Sequence, residues 1–269
     1  MSRSWLGGTE VRVAMLTFYP SDPAVVRGGI RMVALNLVRA LSAYPDLELH
    51  VVHCHSDIDR DWTTTGSSVT VHYLAMPRRR LVPNLMRSIG RVAAELRAIQ
   101  PDLVHAHAAH FACAGIRAGY PTLFSIHGVL ARQREVYTRT PFDRLRYGLL
   151  AYYETRALKS VSQVVAISPY VLDEYAHLGS SAWARIDNPV PAEYFGLQDL
   201  AVPGRILYAG STDERKDLLT LVRAVERLRR TEPRAQLRIA GHVTSASYAR
   251  RVRAYASAAF GDRHAWNGP

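Results

Sequence analysis

Short runs of apolar and β-branched residues alternate along the chain with longer stretches whose apolar positions recur every three or four residues. Val11–Phe18 (VRVAMLTF) reads as a buried first strand. Ile30–Ala43 reads as a helix with Ile30, Val33, Ala34, Leu37, Val38 and Leu41 along one face. Leu47–Cys54 and Val69–Leu74 predict two further strands. Helical spacing returns over Leu81–Ile99 and stops at Pro101, ahead of a fourth strand at Asp102–Ala106. A helix over Ala109–Ala118, a strand over Pro121–Ile126, a long helix over Pro141–Lys159 and a strand over Gln163–Ile167 follow. Ser168-Pro169 opens another helix, with Ser168 as N-cap and Pro169 at the first helical position. Trp183–Asp187 is a short strand.

Strands that alternate with helices imply a parallel sheet covered on both faces. Such a sheet binds its ligand outside the carboxyl ends of the strands, which directs attention to Tyr19–Gly29, His105–His110, His127–Ala131 and Ser168. A second unit starts after Asn188–Pro191. Arg205–Ala209 is a fresh strand, Asp213–Arg230 a helix, Gln236–Ala240 a strand and Ala246–Ala259 a helix. Residues 196–269 number 74, short of the roughly 100–150 of a free-standing domain. The expectation is therefore an α/β protein with an N-terminal domain over 1–195 and a partial second domain over 196–269, the same architecture used twice and cut off before the second sheet is complete.

Composition narrows the function classes. Only two cysteines are present, Cys54 and Cys113, so no disulfide framework is readable and a reducing compartment is expected. The run Val11–Tyr19 carries Arg12 and is too short to span a bilayer; the expectation is a cytoplasmic, soluble protein. The formal net charge is +11, yet 32 of the 34 basic residues are arginine, and the excess is spread as +5 over residues 1–195 and +6 over 196–269. No zinc-finger spacing or RNA-binding aromatic strand accompanies it, so a nucleic-acid partner is not expected. Arg78-Arg79-Arg80 precedes a helix carrying Arg87, Arg91 and Arg97. That basic face is either solvated or makes contact with anionic lipid at a membrane surface or with an anionic acceptor.

Several local patterns carry chemistry. Gly28-Gly29 lies between the first strand and the first helix, where backbone could approach a phosphate at a helix N-terminus; a plain flexible loop has the same sequence. The dinucleotide fingerprint GxGxxG is absent, as are a Walker loop, a GxSxG elbow and HExxH. Asp102–His110 (DLVHAHAAH) offers His105, His107 and His110 as zinc ligands, but no second carboxylate cluster accompanies them, and no metal is expected. His53-Cys54-His55 is weaker still, because successive strand residues face opposite ways. His127-Gly128 ends the predicted fifth strand, where His127 either faces a ligand or caps the strand as a turn residue. Lys216, one of two lysines, sits in Ser211–Asp217 (STDERKD), where a cation in the first turn of a helix opposes the macrodipole. Such a local penalty marks a functional candidate; the plain alternative is a solvated helix start balanced by Asp213, Glu214 and Asp217. Tyr137, Tyr147, Tyr152 and Tyr153 could stack on a sugar, though packing is favoured.

In this order the patterns resemble those of the retaining glycosyltransferases of family 4, which have the GT-B architecture of two facing Rossmann-like domains. Gly28-Gly29-Ile30 resembles the family's glycine turn. Asp102-Leu103-Val104-His105-Ala106-His107 resembles its D-V-V-H-x-H strand, Ser125-Ile126-His127-Gly128 its T-x-H-G strand end, and Val165-Ala166-Ile167-Ser168 its V-x-x-x-S strand. Ile186-Asp187-Asn188-Pro189-Val190 stands in the place of I-x-N-G-V. Leu207-Tyr208-Ala209-Gly210 through Lys216 resembles the V-G-R-x-x-x-x-K-G donor loop. Ser211 stands where the family has arginine, Pro189 where it has glycine, and the paired glutamates (E-x7-E) are absent; the resemblance implies the expectation that they lie beyond Pro269.

The resemblance implies transfer of a sugar from a nucleoside diphosphate to an acceptor hydroxyl with retention at the anomeric carbon. It implies no cofactor or metal. The partners it implies are a nucleotide sugar and a carbohydrate, lipid-linked or small-molecule acceptor. By resemblance His127 and Lys216 are the catalytic residues, while Gly28, Gly29, Gly210, Ser211, Arg215 and Lys216 hold the donor, with Arg215 a candidate substitute for the missing arginine. A chain without the glutamate pair is expected to be inactive by itself. The competing readings are a sugar-nucleotide epimerase on the same architecture, a zinc hydrolase using His105, His107 and His110, and a non-catalytic module that binds an acceptor or partner.

Overall fold

The computed structural model describes residues 10–26, 28–76, 81–137, 140–178, 181–261 and 264–267, without the side chains of 81–83, 136–137 and 264–267. The Arg78–Arg80 run, the Tyr137 side chain and the last two residues therefore lie outside the description. The chain divides into two compact units, Met1–Phe195 and Gly196–Pro269.

The first unit runs β1 (Val11–Leu16), α1 (Gly29–Leu41), β2 (Leu47–His55), β3 (Trp62–Thr65), β4 (Val69–Ala75), α2 (Leu81–Ile99), β5 (Leu103–Ala106) and α3 (Ala109–Ala118). It continues with β6 (Thr122–Ile126), α4 (Leu130–Tyr137), α5 (Pro141–Leu158), β7 (Gln163–Ala166), α6 (Pro169–Tyr175) and β8 (Ala182–Arg185). The strands form one sheet in the order β3-β4-β2-β1-β5-β6-β7-β8. All pairs are parallel except β3 with β4.

The period-two alternation of the strands sorts the core into two layers. Ala14 and Leu16 of β1 join Val52, Val104, Phe124 and Ile126 under α2, α3 and α5. Val13 and Met15, one residue out of phase, join Leu49, Val51 and Tyr73 under α1. Both faces are thus dry, as crossover helices require.

Two elements escape the sequence pattern for opposite reasons. β3 (WTTT) is exposed along its whole length and gains its place by antiparallel edge pairing with β4. α4 (LARQREVY) has almost no apolar face. The start of α5 is fixed locally, by a reciprocal capping box between Thr140 and Asp143 with Pro141 at the first turn. Ser168 occupies the N-cap position of α6 in extended conformation, but its side chain makes no capping hydrogen bond.

The second unit carries β9 (Arg205–Ala209), α7 (Leu218–Leu228), β10 (Gln236–Ala240), α8 (Ala246–Phe260) and β11 (His264–Asn267), with the parallel order β11-β10-β9. Leu218, Val222, Leu237, Ile239, Val252 and Phe260 form its core. The continuous helix expected over Asp213–Arg230 is broken. Glu214–Lys216 is a single 3-10 turn, and Asp217 takes a left-handed conformation (φ 46°) before α7 begins. The Lys216 N–H donates to the Asp213 carbonyl at 3.1 Å and to its carboxylate at 3.2 Å, which closes the turn, and the left-handed Asp217 separates it from α7. Lys216 is therefore not in the first turn of an α-helix, and the macrodipole penalty expected for it does not apply. No helix among the described residues is long and apolar enough to cross a membrane.

Candidate active site

The strand order reverses at β1, which pairs with β2 on one side and β5 on the other. In an open parallel sheet this switch point opens a crevice between the loops leaving the two strands. Here those loops begin with Thr17-Phe18 and with His107. The His107 N–H donates to the Leu16 carbonyl at 2.9 Å and so extends the β1–β5 ladder by one rung. His127 follows β6 immediately. A cavity of about 320 Å³ lies against these ends, and its lining includes Phe18, His107, His110, Phe124, His127 and Glu154.

Four polar groups gather here in two bonded pairs. His105 Nε2 lies 2.8 Å from Ser125 Oγ, and His107 Nδ1 lies 2.8 Å from His127 Nε2. The His107 and His127 rings stack at 5.1 Å, and those of His105 and His107 approach to 4.3 Å. Burial holds all these imidazoles neutral: it pushes His105 and His127 down to about 4 and His107 well below the usual range, with neighbouring rings adding to the effect on His105 and His107. His107 Nε2 is buried without a described partner. A buried N–H without an acceptor is rarer, and less favourable, than a bare lone pair. That selects the His107 tautomer with its proton on Nδ1, donating to His127 Nε2. His127 then carries its own proton on Nδ1, and this N–H is what the ring can offer a ligand.

Glu154 was not legible as a site residue. It is buried in α5, where its carboxylate accepts the Leu130 N–H at 3.1 Å and the Tyr175 hydroxyl. Burial raises its carboxyl from 4.5 to about 7, against the two hydrogen bonds, which act to lower it. The signal was a lone acid on the apolar face Leu150, Tyr153, Ala157 and Leu158. Because the folded pKa lies above the unfolded one, the folded state holds an extra proton between about pH 4.5 and 7, and stability falls as pH rises through that window. Glu154→Gln removes this dependence. Its stability in urea should match the parent near pH 4.5 and exceed it by roughly 3 kcal/mol near pH 7.5. Parallel pH profiles for the two proteins would contradict the assignment.

The zinc reading does not survive the geometry. His105, His107 and His110 do not bring their ring nitrogens together; among the described residues the one such group is His53, His55 and Asp57, with ligand atoms within 4.8 Å of one another. The expectation against His53-Cys54-His55 overlooked that His53 and His55, two apart, share a face. In this group His53 Nε2 and His55 Nδ1 both approach Asp57 Oδ1, at 3.1 and 2.8 Å, while Asp57 Oδ2 pairs with Arg31. His53 Nδ1 also receives the Tyr19 N–H at 3.1 Å. Burial would raise the Asp57 carboxyl, but the hydrogen bonds from Arg31, His55 and His53 hold it far below the ordinary range. Arg31 thus supplies the positive charge an ion would bring, and the cluster is complete as a hydrogen-bonded tie between α1 and β2.

The remaining sequence candidates fall in two places. Gly28 caps α1 with φ 99°, a conformation that favours glycine, whereas a side chain at Gly29 would meet nothing within 4 Å. In the second unit, Asp213 organises the loop after β9: it accepts the Ser211 hydroxyl at 2.7 Å and the Lys216 N–H, and Arg215 Nε lies 3.8 Å from it. Lys216 is exposed and makes no ion pair with a described residue. Gly210 is held against Gly241, a residue the sequence did not single out; the Gly210 N–H donates to the Ala240 carbonyl at 2.9 Å. Among the basic positions on α2, Arg91 pairs with Asp61 and Arg97 reaches the Arg117 carbonyl at 3.4 Å, so part of that face is committed to the fold. Tyr153 packs on the core, while Tyr152 is exposed.

An open parallel sheet with its ligand loops at the switch point, followed by a second parallel α/β unit, defines a protein of the GT-B class. The model of Glycosyltransferase Family 4 matches residues 27–194, and the chain belongs to that family. No curated protein sequence matches. Among solved structures, sucrose-phosphate synthase from Thermosynechococcus elongatus superposes with a TM-score of 0.72 at 19% identity, over 96% of this chain and 70% of that one. The catalytic domain of starch synthase IV from Arabidopsis thaliana, bound to ADP and acarbose, gives 0.60 at 12% identity, over 97% and 74%. An E. coli structure described as trehalose-6-phosphate bound with UDP-2-fluoro glucose gives 0.60 at 12%, over 96% and 73%.

Proposed function

We propose that this glycosyltransferase moves a sugar from a nucleoside-diphosphate sugar to an acceptor hydroxyl with retention at the anomeric carbon, and that the acceptor enters the first unit beside His127. The observation that carries the reading is the neutral His107–His127 pair lining a cavity at the switch point of a family 4 domain. In the reaction the anomeric carbon–oxygen bond to the diphosphate breaks, the acceptor oxygen bonds the same carbon, and the acceptor proton passes to the departing diphosphate. No pair of carboxylates is needed for that proton, in contrast to glycoside hydrolysis. A neutral His127 cannot supply charge; it would orient a hydroxyl through Nδ1–H. Charge stabilisation falls to Lys216 and the backbone N–H groups of the Gly210–Lys216 loop, with Arg215 able to leave Asp213 for a phosphate. The structural neighbours solved with ADP and with a UDP-sugar analogue support a nucleotide-sugar donor.

The direct test is a panel of nucleotide sugars against sugar, lipid-linked and small alcoholic acceptors, with product mass and anomeric coupling constants as readouts. Transfer with inversion would exclude the retaining reading. In an enzyme that carries the glutamate pair, Lys216→Ala should lower kcat about 10²–10³-fold with little change in fold; unchanged kcat/KM would remove Lys216 from the mechanism.

A further inference from the structure

The lining of the cavity beside His127 speaks to the kind of acceptor, an inference that rests on the glycosyltransferase reading. Phe18, Phe124, Ile126, Leu130, Leu149 and Leu150 give it an apolar wall. Its polar side chains are His107, His110, Ser125, His127, Gln133, Arg146 and Glu154; Glu154 is bonded to Leu130 N–H and to Tyr175, His107 to His127 and Ser125 to His105, while Arg146 is exposed and Gln133 and His110 are half-buried. A free sugar presents a hydroxyl on almost every carbon, and each one buried here without a partner would oppose binding. A single hydroxyl on an otherwise apolar body meets no such penalty. At about 320 Å³ the space is at the small end of ligand pockets, which suits one or two fused rings.

We infer that this cavity takes the apolar body of an acceptor alcohol, of one or two rings, with its hydroxyl at His127. The hydroxyl oxygen accepts from His127 Nδ1–H. Its lone pair attacks the anomeric carbon, and its proton leaves with the diphosphate, so the acceptor needs only one polar group inside the cavity. The rings displace water and gain the contacts of the leucine and phenylalanine walls.

The experiment uses the 269-residue chain, 2-naphthol as probe, naphthalene as the matched compound without a hydroxyl, and methyl α-D-glucoside as the sugar. 2-Naphthol is expected to bind saturably by its own fluorescence and to shift the His127 ring nitrogens in 15N-histidine NMR spectra, whereas naphthalene binds without that shift. Leu149→Trp, which fills the cavity from a half-buried position, should weaken 2-naphthol at least about tenfold. Leu149→Asn, which keeps the space but makes the wall polar, should weaken it as well and covers the case in which the larger residue disturbs the fold. Methyl α-D-glucoside should not compete.

Three results would overturn the proposal: no saturation, binding indifferent to both substitutions, or displacement by the glucoside. Transfer assays, run on a form of the enzyme that carries the glutamate pair, separate it from the reading beneath it. Transfer to methyl α-D-glucoside but not to 2-naphthol overturns the apolar acceptor and leaves the transferase standing. 2-Naphthol bound at His127, with no transfer from any nucleotide sugar to any acceptor, overturns it as an acceptor pocket and the transferase reading with it.

Discussion

Gly241→Ala is expected to destabilise the 196–269 unit by about 3–5 kcal/mol, a loss large enough to unfold it under ordinary conditions. A β-carbon at Gly241 would stand 2.1 Å from the Gly210 carbonyl oxygen and 2.7 Å from its carbon, and the backbone there has φ +137°. Both obstacles are main chain, so no side-chain rotation relieves them. The strain has nowhere to spread, because the neighbouring rungs are bonded: Gly210 N–H to Ala240 O and Thr212 N–H to His242 O, each at 2.9 Å. Displacing Gly210 also displaces Ser211–Lys216, so donor binding should fall together with stability. Limited proteolysis and thermal melting report the effect. Gly29→Ala is the matched control: its β-carbon meets nothing within 4 Å, and its melting temperature should barely move. A parent-like melt for Gly241→Ala would mean that the close approach of the two strand ends is not a feature of the folded protein.

In an enzyme that carries the glutamate pair, His107→Phe should lower kcat/KM by about 10²-fold, because His107, which also lines the cavity, fixes His127. Phenylalanine keeps a flat ring in the buried stack but removes the Nδ1–H that holds His127 Nε2 at 2.8 Å. His127 then loses both its fixed orientation and its fixed tautomer. In 15N spectra the parent His127 should read as the neutral Nδ1–H form, and the variant as a mixture. Because the two residues act as one unit, His127→Ala and the double substitution should show nearly the same loss as each other. Losses that multiply would show that the rings act separately. The pair should stay neutral from pH 5 upward, since burial holds His127 near 4. A rate that follows an imidazole titration near pH 6.5 would therefore argue against it.

The Glu154 and cavity predictions probe the same pocket from other sides. Glu154→Gln tests whether the carboxyl at the Leu130–Tyr175 junction is as dry as its burial implies. The Leu149 variants test whether the wall selects apolar matter. Lys216→Ala tests the second unit without touching the first.

How far the residue pattern reached differs from one element to another. Val13 and Met15 against Ala14 and Leu16 already declared a sheet buried on both faces, because apolar runs without alternation have no solvent side. The order of strands and helices was readable for the same reason, as was the location of His127 just past β6: apolar periodicity is a local property. β3 and α4 were missed because neither has an apolar face of its own; edge pairing and packing against α5 place them. The Asp213–Arg230 helix was drawn too long because Asp213–Asp217 is wholly polar and carries no apolar signal of the left-handed turn at Asp217; the apolar spacing begins only at Leu218. His53, His55, Asp57 and Arg31 formed no visible set, since three lie around the end of β2 and the fourth on α1.

By itself, then, the sequence determined the alternating α/β order, the two-layered core and the family to which the chain belongs. Tertiary structure alone decided that His107 bonds His127 instead of joining His105 and His110 around a metal. It alone placed Glu154 beside that pair in a cavity, and Gly241 against Gly210. The reason is distance along the chain. Propensity and periodicity act over a few residues, whereas each of these contacts joins strand ends or helices twenty or more residues apart, and only the closed sheet fixes how near they come.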